Sequence, residues 1–132
     1  MSTNPIGGGR VLARVLCAGV DDVLLRTRKM MLEHGGHSVS TASSEPQVRD
    51  ACLEQSFDVA VIGQAVLLPV KQRLLALVRQ HCPNAKVLEL YAPYQGKALR
   101  DADDWLEVPA AVPPDLVERV SALAAHTKPK KR

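Results

Sequence analysis

Ser56-Phe57-Asp58-Val59-Ala60-Val61-Ile62-Gly63-Gln64 is the stretch whose reading decides the fold. From Val59 to Ile62 it is apolar, and β-branched except at Ala60, and it stops at a glycine. That pattern predicts a strand, Phe57 to Gly63, buried on both faces at the centre of a parallel sheet. In open parallel sheets the functional crevice lies beyond the carboxyl ends of the strands, so Gly63 and its neighbours are the positions to read first.

Upstream, Val11 to Ala18 predicts a first strand, interrupted by Arg14 and closed by Gly19. Asp21 or Asp22 then caps a helix with Leu24, Thr27, Met31 and Leu32 on one face, and Gly35-Gly36 ends it. His37 to Ala42 alternates and is rich in Ser, Thr and Val, which predicts an edge strand. Ser44-Glu45-Pro46-Gln47 has the form of a capping box, and Val48, Ala51 and Cys52 continue a second helix to about Gln55.

Downstream, Val70, Leu74, Leu77 and Val78 mark a third helix, stopped by Pro83-Asn84. Lys86 to Tyr91 predicts a fourth strand. Ala92 to Ala102 is a connector with room for at most a short helix, and Trp105 to Val108 predicts a fifth strand. Pro113-Pro114-Asp115 starts a last helix with an apolar stripe of Leu116, Val120, Leu123 and Ala124. Strands and helices alternate through five strands, which predicts a doubly wound three-layer α/β sandwich.

A chain of 132 residues suits a single domain, here 11–125, with a flexible leader at 1–10 and a basic tail at 126–132. Gly7-Gly8-Gly9 precedes the first strand and lacks a Lys-Ser/Thr partner, so it reads as linker and not as a phosphate loop. No apolar run approaches the roughly 18 residues of a membrane span, and the leader has no signal-peptide core. Cys17, Cys52 and Cys82 are odd in number and without CxxC spacing, as expected of buried thiols in a cytoplasmic protein.

The formal charge of +3 comes from 17 basic and 14 acidic residues. Removing Lys128, Lys130, Lys131 and Arg132 leaves 13 against 14, so the body is near neutral and presents no basic face for nucleic acid. The tail reads as a solvated end, with a weak, salt-dependent attraction to nucleic acid or to an acidic partner as the alternative.

Val15-Leu16-Cys17-Ala18-Gly19-Val20-Asp21, Phe57-Asp58-Val59, Lys86-Val87-Leu88-Glu89-Leu90-Tyr91-Ala92 and Ala102-Asp103-Asp104-Trp105-Leu106-Glu107-Val108-Pro109 stand in the order and spacing of a response-regulator receiver domain. The resemblance covers about residues 11 to 125. It implies a flavodoxin-like sheet of order 2-1-3-4-5, and a phosphoryl group accepted by an aspartate ending the third strand. It also implies two acidic residues that hold Mg²⁺, and a hydroxyl and a lysine that bind the phosphoryl oxygens. Phosphoryl transfer needs such groups because little besides metal and fixed positive charge stabilises its transition state.

The scaffold matches and the chemistry does not. Gly63 stands at the acceptor position, Gly19 and Val20 at the acidic positions, Tyr91 at the hydroxyl position and Val108 at the lysine. Pro109 is retained, with a cis bond before it expected. Asp58 lies five residues before Gly63, roughly 16 Å along the strand, too far to substitute. The interval from Tyr91 to Trp105 is about five residues shorter than the resemblance requires, so the helix after the fourth strand is expected to shrink to a turn or two.

These readings predict a pseudo-receiver domain in two-component-type signalling, not an enzyme. It would need no cofactor and would act through contacts with a signalling or regulatory protein. The contact candidates are Tyr91, Tyr94 and Trp105. A relocated acceptor aspartate and a tail-dependent nucleic-acid adaptor are the alternatives. Glu89, in an interior strand, requires either a route to the rim or a basic partner. His34 and His37 flank a helix end without a third ligand, and metal binding is not expected there.

Overall fold

A computed structural model describes residues 12–109 and 115–127. The predicted leader, Val11, Pro113-Pro114 and the tail from Lys128 lie outside the described residues. The elements are β1 Arg14–Ala18, α1 Asp22–His34, β2 Ser38–Ala42, α2 Glu45–Glu54, β3 Val59–Ile62, α3 Leu68–His81, β4 Lys86–Tyr91, β5 Asp104–Glu107 and α4 Asp115–Thr127. All pairings are parallel, in the order β2-β1-β3-β4-β5.

β3 is central and buried along its whole length. Val59 and Val61 face α1 and α4 beside Cys17, Leu88 and Leu90. Ala60 and Ile62 face α2 and α3 beside Leu16, Val48 and Leu74. Burial of one such Val or Ile side chain contributes about 1.5–3 kcal/mol, which is why a strand without a polar face holds the middle position.

Local chemistry sets the helix starts. Asp21 Oδ1 accepts from the N–H groups of Val23 and Leu24 at 3.0 and 3.2 Å, so Asp21 and not Asp22 is the cap of α1. At α2, Ser44 Oγ accepts from Gln47 N at 3.3 Å, while Gln47 Oε1 reaches back to Ser43 N at 2.8 Å, one residue earlier than a capping box.

Four expectations are corrected. Of the expected α1 face only Leu32 is buried; its buried companions are Leu25 and Arg28 and not Leu24, Thr27 and Met31, because the sheet claims a stripe rotated by one residue. β5 begins at Asp104 and ends at Glu107, one residue early, because Asp103 pairs with Val87 through both backbone and side chain. The last helix runs through Thr127, past the expected tail boundary at His126.

The fourth correction concerns residues 92–103, which form turns and no helix. Gln95 and Gly96 donate to Ala92 O, and Gly96 takes a φ of +72°, which favours glycine. The amides of Ala98 and Leu99 then donate to the Glu89 carboxylate at 2.9 and 2.7 Å. A side chain from β4 thus satisfies donors that a helix would have paired internally.

Candidate functional site

The carboxyl ends of β1 and β3 lie side by side, with Gly63 N donating to Ala18 O at 2.9 Å and Gly19 N to Ala42 O at 3.1 Å. A Cβ built on Gly63 would sit 3.1 Å from Arg28 Nη1 and 3.4 Å from Ala18 O. The space beside Gly63 is therefore occupied by a guanidinium. Arg28 comes from the sheet-facing side of α1, is 8% exposed and donates to Gln64 Oε1.

The charge of Arg28 is partly destabilised there. Burial lowers its pKa below the ordinary value, while Cys17 and Asp21 act in the opposite direction. Burial also pushes the thiol of Cys17, on β1, up to about 12, so it is neutral despite the nearby cations Arg28 and Lys29. A guanidinium in this place repels a divalent cation. Among the described residues no group of three or more His, Cys, Asp or Glu side chains is arranged to hold a metal ion.

The remaining aspartates have other work. Asp21 caps α1. Asp58 lies at the amino end of the sheet, where its Oδ2 accepts from Arg14 N at 2.9 Å and its backbone joins Arg14 and Lys86. Asp103 accepts from Val87 N at 2.7 Å and pairs with Arg79 at 3.2 Å, tying β5 to β4.

Of the five positions read as one degenerate pocket, four are distributed over three openings. Gly19 and Val20 border a crevice of about 20 Å³ against the start of α2. Val108 lines a groove of about 340 Å³ between α1 and α4, with Arg28 and Gln64 also on its walls. Tyr91 lines a third opening with Lys97, Trp105 and Arg119. Gly63 lies against Arg28 and lines none of the three.

Trp105 is half-buried, and its Nε1 donates to Leu99 O at 2.9 Å while Lys97 Nζ lies 5.2 Å from the ring centroid. It packs the 92–103 connector against β5. Tyr94 is 88% exposed and does not line the opening shared by Tyr91 and Trp105, so the three do not form one aromatic cluster. The bond between Val108 and Pro109 is cis, as the sequence suggested.

Glu89 has a basic partner, Lys71 of α3, with Nζ 2.7 Å from Oε2. Lys71 also donates to Leu90 O at 3.0 Å. Lys71 and Arg28 are the two residues that sequence reasoning missed. The available signal was spacing: Leu25, Arg28 and Leu32 stand at i, i+3 and i+7, and so do Lys71, Leu74 and Val78. His37 is buried against Ser121 Oγ at 3.0 Å.

Comparison with known proteins bears on the fold. No protein-family model matches the sequence, and no curated protein matches it. Solved structures do. The receiver domain of a Francisella response regulator superposes with a TM-score of 0.73 at 25% identity, over 88% of this chain and 99% of that one. A response regulator assigned in Chloroflexus aurantiacus gives 0.71 at 24%, over 86% and 98%. A Rhodopirellula baltica protein described as an adenylate cyclase gives 0.74 at 20%, over 86% and 88%. The chain has the response-regulator receiver fold.

Proposed function

We propose that this chain is a receiver-like signalling domain that does not accept a phosphoryl group and acts by binding another protein. One observation carries the reading. The acceptor position is Gly63, and Arg28 packs against it where an aspartate and its metal would stand. Without a nucleophilic carboxylate, paired acids or a lysine at Val108, the transition state of phosphoryl transfer lacks both its acceptor and its stabilising charges.

The surface around that position supports protein contact. Val20, Val23, Leu67, Leu68 and Tyr94 are exposed large apolar side chains in the segments that leave β1, β3 and β4 at their carboxyl ends. An apolar rim at the functional edge of the sheet suits a protein partner better than a hydrated metal. No described helix is long and apolar enough to cross a membrane.

Incubation with acetyl phosphate and Mg²⁺, followed by intact mass measurement, tests the absence of phosphotransfer. An unmodified mass is expected, and a hydroxylamine-sensitive phosphoryl adduct would overturn the reading. For the contact surface, Leu67→Glu and Tyr94→Glu should each reduce co-purification of the cellular partner, whereas Leu53→Glu on α2 should not.

A further inference from the structure

We infer that the groove between α1 and α4 binds a small organic monocarboxylate, its carboxylate meeting Arg28 and its apolar body lying along the groove. The inference is independent of whether the domain takes a phosphoryl group.

Arg28 is a buried cation with no carboxylate at ion-pair distance among the described residues. All fourteen acidic side chains of the sequence fall among the described residues, and none forms an ion pair with Arg28. Among the described residues its one side-chain acceptor is the neutral Gln64 Oε1. The other buried cation, Lys71, shows what this fold does when it pairs a charge internally: it supplies a carboxylate and a carbonyl. An isolated buried charge is costly, and an external carboxylate that meets a guanidinium offsets that cost with charge-assisted hydrogen bonds.

The groove gives the ligand its shape. It holds about 340 Å³, near the lower end of small-molecule sites, and Leu24, Met31, Leu106, Val108 and Leu116 make most of its wall apolar. Arg28 and Gln64 are on the same wall, so polar recognition is concentrated at one place. A single guanidinium, already under the field of Asp21, matches one negative charge better than the two of a phosphate ester. The apolar lining gives free inorganic phosphate nothing to bury.

An NMR titration of the ¹⁵N-labelled full chain with sodium octanoate, 1-octanol and inorganic phosphate tests this. Octanoate should bind saturably at one site, with shifts along α1 and α4, and both other probes should bind at least about tenfold more weakly. Arg28→Met should weaken octanoate by at least about tenfold. Thr27→Glu, a change at an exposed position on the groove's edge, should weaken it by like-charge repulsion with Arg28 intact, and this decides the matter if Arg28→Met does not fold. Absence of saturable octanoate binding, equal binding of octanol or phosphate, or undiminished binding in the folded variants would overturn the proposal.

Discussion

Lys71 Nζ lies 2.7 Å from Glu89 Oε2, and the two side chains are 2% and 0% exposed. The pair joins α3 to β4, and Glu89 also holds the amides of Ala98 and Leu99. Removing one partner strands a buried charge, at a cost of about 3–5 kcal/mol, whereas removing both costs less than the sum. Urea denaturation of Glu89→Leu, Lys71→Met and the double variant should show that non-additivity. The double variant should stay below wild type, because the two connector amides still lose their acceptor. Additive losses would contradict a coupled pair.

Gly63→Asp restores the acceptor residue alone. Arg28, Gly19, Val20, Tyr91 and Val108 remain, so acetyl phosphate with Mg²⁺ should leave the variant's mass unchanged. The new carboxylate should instead pair with Arg28 and abolish octanoate binding. A phosphoryl adduct on this variant would show that the acceptor was the one missing component.

His37 sets a pH dependence. Burial lowers its pKa below the ordinary 6.5, with Asp58 acting weakly the other way, so the folded state prefers the neutral ring. The unfolded chain binds the proton more readily. The contribution to stability is therefore complete above 6.5 and is lost as pH falls from there toward the lowered folded value. Melting temperatures of wild type should drop on acidification between about pH 7 and 5, and His37→Gln should flatten that slope. Parallel curves would remove His37 from the explanation.

Cys17, Cys52 and Cys82 are all buried and free. Burial pushes the thiols of Cys17 and Cys52 up to about 12. At neutral pH the native protein should therefore react with an aromatic disulfide reagent only on the timescale of unfolding, and all three thiols should react promptly in denaturant. A rapid stoichiometric reaction at one cysteine in the native state would show local opening at that strand or helix.

Much of this molecule is readable in one dimension because its strands are short apolar runs and its helices have marked starts. Val59 to Ile62 could only be an interior strand, and Ser44 and Asp21 cap α2 and α1 through contacts within four residues. The motif Ala102-Asp103-Asp104-Trp105 was legible in position. Its work of bonding Val87, Arg79 and Arg119 was not, since those partners are distant in sequence. α1 was misread by one residue of phase because Leu24, Thr27 and Met31 form nearly as good a stripe as Leu25, Arg28 and Leu32.

By itself the sequence determined the alternation of strands and helices, the central place of β3 and the glycine, not aspartate, that follows it at Gly63, all of which depend on residue type and near neighbours. Only the tertiary structure decided what packs against Gly63, and what lets Glu89 lie inside the sheet. Both answers are long cationic side chains, Arg28 and Lys71, which the sequence presents as surface residues. Whether such a chain reaches water or a buried partner depends on a helix's rotation against the sheet, and that is set by the packing of the whole core.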